Sequence, residues 1–258
     1  MSLAQYINYL WRLFATALAF TLFGIGGVVV PLISTPVLYL IPGNEEQRCL
    51  RARRIVHWLF KGFVYLLRFL GILTWTTEGL EKLNRRSLLV LANHPTLIDV
   101  VFLVAFLPDA NCIVKGRLLA NPAMRGLISQ AGYITNEQGG KLLEAADASL
   151  KAGAVLVIFP EGTRSRPGTP LSFQRGAANV AIRCQVNITP VVIHCTPLTL
   201  SKQHKWYHIP ERPFTMSFSV HDDIAIAPFL DCPAVQGARH LTRCLEHFFT
   251  EENHAHGH

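Results

Sequence analysis

Between Leu13 and Asn44 the chain carries no charged residue, in the stretch LFATALAFTLFGIGGVVVPLISTPVLYLIPGN. About 20 apolar residues cross the hydrocarbon core of a bilayer as a helix, so this run can span one with residues to spare. A signal peptide has a shorter apolar core, a basic region before it and a small-residue cleavage site after it. Here Arg12 alone precedes the run as a charge, and no A-x-A site follows. Gly24, Gly26, Gly27 and Pro31 interrupt its middle. That pattern fits one spanning helix followed by a break, or a helical hairpin dipping into one leaflet. A buried helix pair in a soluble protein is the remaining reading, and the uninterrupted apolar length argues against it.

The remainder of the chain points the same way. The whole chain is 50% hydrophobic and 16% charged, where soluble domains hold roughly 25% charged residues. Mean hydropathy is +0.28 and the formal net charge is +7. A basic, apolar chain suits an anionic membrane surface before nucleic acid. Basic residues do not alternate with aromatics as in a strand-binding groove, and no zinc-finger spacing occurs, so no nucleic-acid partner is expected. Directly after the apolar run, RCLRARRIVHWLFKGFVYLLRFLGI supplies Arg48, Arg51, Arg53, Arg54, Lys61 and Arg68, with no carboxylate between Glu46 and Glu78. Trp58, Phe60, Phe63, Tyr65 and Leu66 are its apolar counterpart. Such a helix lies readily on anionic lipid, where each basic side chain contributes about 1 kcal/mol. Basic flanks of an anchor prefer the cytoplasmic side, which places the remainder of the chain at a cell's inner membrane, facing the cytoplasm. The expected division is an anchor at 1–45, an interfacial helix at 46–73, a globular domain at 74–250 and a polar, loose tail at 251–258. Six cysteines without a C-x-x-C pair read as reduced structural thiols, with Cys112 and Cys195 in strands.

Beyond Thr74, short β-branched runs alternate with helical patterns. Strands are expected at 87–93, 111–115, 132–135, 154–159, 187–193 and 214–220. Helices are expected near 97–107, 117–130, 139–152, 173–184 and 234–250. The fold class is therefore α/β: one domain with a largely parallel central sheet flanked by helices, behind an N-terminal hydrophobic helical membrane anchor. Ligands in such sheets bind beyond the carboxyl ends of the strands.

Two strand ends carry chemistry. LVLANHPTLIDVVFL places His94 directly after the strand at 87–93 and Asp99 five residues later. Pro95 suits a helix start, where its missing N–H is no loss. A tight turn there returns the Asp99 carboxylate to one ring nitrogen of His94. The other nitrogen is then free to take a proton from a hydroxyl. A structural His with a capping Asp is the plainer alternative. VLVIFPEGTRSRPGTP ends a strand at Phe159 and presents Glu161, Gly162, Thr163, Arg164 and Ser165 at once. Gly162 permits close backbone approach, and Arg164 and Arg166 offer forked donors suited to phosphate. An ordinary polar turn is the plainer reading here too. Neither a P-loop nor a G-x-S-x-G elbow is present.

Taken together, Asn93-His94-Pro95 with Asp99 and Phe159-Pro160-Glu161-Gly162-Thr163-Arg164-Ser165 closely resemble the first and third signature blocks of the glycerolipid acyltransferases. Lysophosphatidate acyltransferases are the best-known bacterial members. The fourth block is similar to ITPVVI around Pro190, and the resemblance covers residues 75–220. It implies His94 as the general base on an acceptor hydroxyl and Asp99 as its orienting partner. It implies Glu161, Gly162, Thr163 and Arg164 as contacts to the acceptor's polar head, and Lys115 as an anion or oxyanion contact. The implied reaction moves a fatty acyl group from acyl-CoA or acyl carrier protein to a lysophospholipid, 1-acylglycerol-3-phosphate above all, within phospholipid biosynthesis. Neither cofactor nor metal is implied. The second block departs from the family: AGYITNEQGG keeps Gly132, Tyr133 and Ile134 but holds Asn136 or Glu137 where an arginine is expected. Losing a forked cation weakens phosphate binding by about 1.5–3 kcal/mol. A lyso-aminolipid or another specialised lipid is therefore an alternative acceptor, and a thioesterase or a non-catalytic lipid-binding protein of the same fold are alternative functions.

Two smaller signals complete the reading. His204 and His208, four apart, form a candidate metal pair on one helix face but lack a third ligand, so surface histidines are the expectation. Gly176 is expected to permit close helix packing.

Overall fold

The computed structural model describes residues 3–136 and 140–255. At its centre lies a seven-stranded sheet: β1 (Leu73–Glu78), β2 (Leu89–Ala92), β3 (Ala110–Val114), β4 (Ile134–Thr135), β5 (Val155–Ile158), β6 (Ile188–Thr196) and β7 (Phe214–Val220). The strand order is β1-β7-β6-β2-β5-β3-β4. Every pair is parallel except β6 with β7. The central strands are apolar throughout because both faces are covered. Val90, Ala92, Cys112 and Val157 face the layer built from α2 (Glu45–Phe69), α3 (Asp99–Phe106) and α4 (Pro122–Ala131). Leu89, Leu91, Leu156 and Ile158 face α5 (Lys141–Lys151), α6 (Gly176–Cys184) and α7 (Ala234–Ala255).

The apolar run forms α1 (Leu3–Leu40), one continuous helix that runs through Pro31 and Pro36. A break or a hairpin inside the run is thereby corrected: the hairpin consists of α1 and α2, joined at 41–44. Buried positions Arg12, Ala15, Thr16, Ala19, Gly27, Pro31, Ser34 and Leu38 recur at helical spacing, so one stripe of α1 packs on the domain along its length. Side chains of α4 steady the helix at its prolines. Gln130 donates to the Pro31 carbonyl (3.1 Å) and to Thr35, and Ser34 donates to Gln130 (3.0 Å). Gly27 and Gly126 let the two helices touch: a Cβ at Gly27 would lie 2.2 Å from the Ala123 carbonyl oxygen.

Helix α2 begins with an Asn44 capping box, in which Asn44 and Gln47 satisfy each other's backbone donors. Its apolar side differs from an interfacial face. Phe60 and Phe63 are buried against the domain, while Trp58 is exposed under Lys61 and Tyr65 is exposed edge-on to Trp75, the ring that Arg68 overlies. The tail at 251–258 was expected to be loose, yet α7 continues through Ala255.

Candidate active site

Parallel neighbours β2 and β5 align Leu91 with Ile158, so the residues that follow each strand emerge side by side at the same sheet edge. That adjacency brings the two signature stretches together. His94 Nδ1 lies 2.8 Å from Asp99 Oδ2. The ring's other nitrogen has no hydrogen-bond partner among the described residues, and the ring packs on Phe159 with centroids 4.5 Å apart.

Asp99 is fully buried, and three donors hold its charge: the His94 ring, the Thr96 N–H (2.7 Å) and the Thr96 hydroxyl. A buried carboxylate satisfied in this way holds the proton on His94 Nδ1, which leaves Nε2 as an acceptor. The turn differs from the expected one in detail. Helix α3 starts at Asp99 itself, and Pro95 sits in the turn ahead of it. Thr96 was missed as a site residue; its place three positions before a helix-opening aspartate is the one signal for it.

The 159–165 turn grips the His94 backbone from both sides. The His94 N–H donates to Glu161 Oε1 (2.8 Å), and the Ser165 N–H donates to the His94 carbonyl (2.7 Å). Ser165 Oγ also donates to Glu161 Oε1 (2.8 Å). Glu161 is buried, and burial raises its pKa, opposed by the His94 and Ser165 hydrogen bonds. The carboxylate expected to reach the acceptor therefore faces the His94 peptide. Gly162 is exposed at φ +63°, a conformation that favours glycine, and Thr163 is half-buried beside it.

Arg164 turns partly inward. Its Nη1 donates to the carbonyls of Leu200 and Ser201, both at 2.9 Å. Leu200 also accepts from the Leu97 N–H (3.0 Å), and its backbone adopts a left-handed φ of +52°. The 197–201 segment thus closes one side of the site, with no periodic pattern in the sequence to announce it. Asn93, buried under the turn, exchanges two hydrogen bonds with the Ile193 backbone (2.7 and 2.8 Å) and ties β2 to β6.

Lys115 follows β3, on the far side of β5 from β2, and is half-buried. Its pKa is lowered by burial and then by the Arg117 and Lys202 charges. In the second block, Asn136 Oδ1 accepts from the Gly116 N–H (3.2 Å), a backbone tether where a cation was expected. Glu137 lies outside the described residues. His204 and His208 stand in an irregular segment rather than on a helix, and His204 pairs with Ser201 Oγ (2.9 Å). Among the described residues no group of three metal-binding side chains occurs. Gly176 opens α6 with free space around its Cα, so close packing does not explain it.

Residues 75–194, a little under half of the chain, match the family model described as Acyltransferase. The chain is similar to the 1-acyl-sn-glycerol-3-phosphate acyltransferase of Helicobacter pylori, 34% identical over 128 residues that make up 46% of this chain and 54% of the relative. It is also similar to the enzyme of that name from Cocos nucifera, 30% identical over 134 residues, 49% of this chain and 43% of the relative. The chain thus spans about half the length of these curated relatives. Among solved structures, the 1-acyl-sn-glycerophosphate (LPA) acyltransferase PlsC of Thermotoga maritima superposes with a TM-score of 0.68 at 20% identity, covering 96% of this chain and 98% of that one.

Proposed function

On the premise that residues 75–194 form an acyltransferase-family domain, we propose that the protein moves a fatty acyl group from a thioester to the hydroxyl of a lysophospholipid, 1-acylglycerol-3-phosphate first, in phospholipid biosynthesis. The observation that carries this reading is the His94–Asp99 pair at 2.8 Å, held in place by the 161–165 turn. His94 Nε2 takes the acceptor's hydroxyl proton while the oxygen attacks the thioester carbonyl. Buried Asp99 stabilises the resulting imidazolium. Collapse of the tetrahedral intermediate breaks the carbon–sulfur bond, and the proton on His94 passes to the departing thiolate. The acyl group goes directly from donor to acceptor, and a thioester needs no cofactor to activate it.

Around that centre, Gly162 and Thr163 line the acceptor side. Arg164 keeps Nε and Nη2 for an anionic head group, having no protein partner for them among the described residues. Lys115 serves as an anion or oxyanion contact. Glu161 positions His94. The donor is acyl-CoA or acyl carrier protein. The weaker cation complement around Asn136 favours, as a second reading, a lysolipid acceptor without a phosphate monoester.

Helix α1, long and apolar enough to cross a membrane, is the bilayer contact. Its one charge, Arg12, is buried in the protein, so its exposed surface is uncharged. With Arg48, Arg51, Arg53 and Arg54 at the adjoining end of α2, the reading is an inner-membrane protein whose catalytic domain faces the cytoplasm.

A donor–acceptor matrix tests the function. Purified protein in detergent is given labelled acyl-CoA or acyl carrier protein with lysophosphatidate, a lyso-aminolipid or no acceptor. The expected product is labelled phosphatidate. Free fatty acid alone would identify a thioesterase, and no turnover of either donor a non-catalytic binding protein.

A further inference from the structure

The segment 199–212, TLSKQHKWYHIPER, is fastened at both ends to elements with different duties. At one end, Leu200 and Ser201 accept from Arg164, and Leu200 accepts from Leu97, within the catalytic turns. At the other end, Arg12 of α1, 3% exposed, donates to the Pro210 carbonyl (2.8 Å) and the Glu211 carbonyl (2.5 Å). Thr199 Oγ1 donates to the His208 carbonyl (3.3 Å) and closes the segment into a loop.

What the loop shows to the outside is unusual for an irregular surface segment. Trp206 and Tyr207 are 46% and 40% exposed, with rings at 89° and centroids 5.5 Å apart. Lys205 lies over the Tyr207 ring at 5.6 Å, and Lys202 is exposed nearby. Neither lysine has an ion-pair partner among the described residues. Trp206 shares a small pocket with Arg12, Thr16 and Phe20 of α1. The loop therefore packs against the Arg12–Thr16–Phe20 stripe of α1, beside the helix whose other faces expose Leu10, Trp11 and Phe14. Tryptophan and tyrosine prefer the boundary between hydrocarbon and headgroups, and lysine beside them prefers anionic headgroups.

We propose that residues 202–207 form a second lipid contact, lying in the anionic headgroup layer beside α1 and linking bilayer contact to the position of Leu200 at the active site. This rests on the bilayer reading of α1, and the test separates the two. Tryptophan fluorescence is recorded in vesicles of phosphatidylcholine and phosphatidylglycerol brominated near the top of the acyl chain. Subtracting the Trp206→Phe spectrum from the wild type isolates Trp206, and a Trp11→Phe subtraction isolates Trp11. The expected result is that the brominated lipid quenches both signals, as it does indoles at the headgroup boundary. Quenching of Trp11 without Trp206 overturns the loop contact alone, and quenching of neither overturns the bilayer reading with it. A second measurement uses turnover: Trp206→Phe/Tyr207→Ala should lower kcat/KM about 10-fold on vesicle-borne acceptor and leave it within about two-fold in detergent. Equal losses in both media mark a purely structural loop and overturn the proposal.

Discussion

Glu161 offers a test in which two substitutions separate two roles. Its Oε1 accepts from the His94 N–H and from Ser165 Oγ, both at 2.8 Å. Glu161→Ala leaves the His94 N–H without its acceptor, at a cost of about 1–3 kcal/mol, with a further loss of about 1 kcal/mol for the Ser165 bond. A base whose peptide has lost its clamp shifts, and a displacement near 1 Å costs about 100-fold in rate. In Glu161→Gln the amide oxygen can still accept from His94, and the amide N–H can donate to a reoriented Ser165 hydroxyl. Steady-state kinetics in detergent, with acyl-CoA and 1-acylglycerol-3-phosphate, read the difference. For Glu161→Ala, kcat is expected to fall about 100-fold with the acceptor KM within about two-fold, and Glu161→Gln to restore kcat to within about 10-fold of wild type. A carboxylate that binds the acceptor by charge gives the opposite pattern: a raised acceptor KM in Glu161→Gln at unchanged kcat. That result would refute the positioning role.

Other perturbations follow from the same geometry. Asp99→Asn removes the charge proposed to stabilise the imidazolium and turns an N–H toward one or two of its three donors; kcat is expected to fall about 10²–10⁴-fold while thermal unfolding in detergent stays cooperative. Gly27→Val drives a Cβ to within 2.2 Å of the Ala123 carbonyl and is expected to cost on the order of 1–3 kcal/mol in the same unfolding assay. Gly24→Ala, with nothing within 4 Å, is its control and should be neutral or slightly stabilising. The pKa of Asp223 is lowered, first by its hydrogen bond from Arg85 and then, against burial, by Thr189. Its stabilisation is therefore present above the unfolded carboxylate value near about 3.9 and is lost as pH falls through the lower folded value. Denaturant midpoints for wild type and Asp223→Asn should differ at neutral pH and converge in acid; a constant difference across that window would count against the ion pair.

Much of the fold was legible because the central strands leave a plain trace. FTMSFSV alternates strictly, and β7 has the expected ends. The short apolar runs before His94 and Glu161 became adjacent parallel strands, which explains why two motifs far apart in the chain form one site. β1 escaped notice because its pattern is mostly exposed and it directly follows a long helix. The glycines and prolines of α1 suggested a break, since local propensity does not show Gln130 and Thr35 steadying the helix at Pro31 from outside and within. For the site, the spacing of His94 and Asp99 suggested their contact, and their expected roles came from the resemblance of the two blocks to the glycerolipid acyltransferases. The partners of Glu161 and Arg164 were not: one carboxylate faces a backbone N–H 67 positions away and one guanidinium faces carbonyls 36 and 37 positions away, and neither link has a periodicity.

The most direct measurement is the initial rate of labelled phosphatidate formation from lysophosphatidate by purified wild-type and His94→Ala protein, with matched circular dichroism spectra. Loss of the base while the fold is retained should lower the rate on the order of 10²–10⁴-fold. A folded His94→Ala protein turning over near the wild-type rate would contradict the assignment of the imidazole.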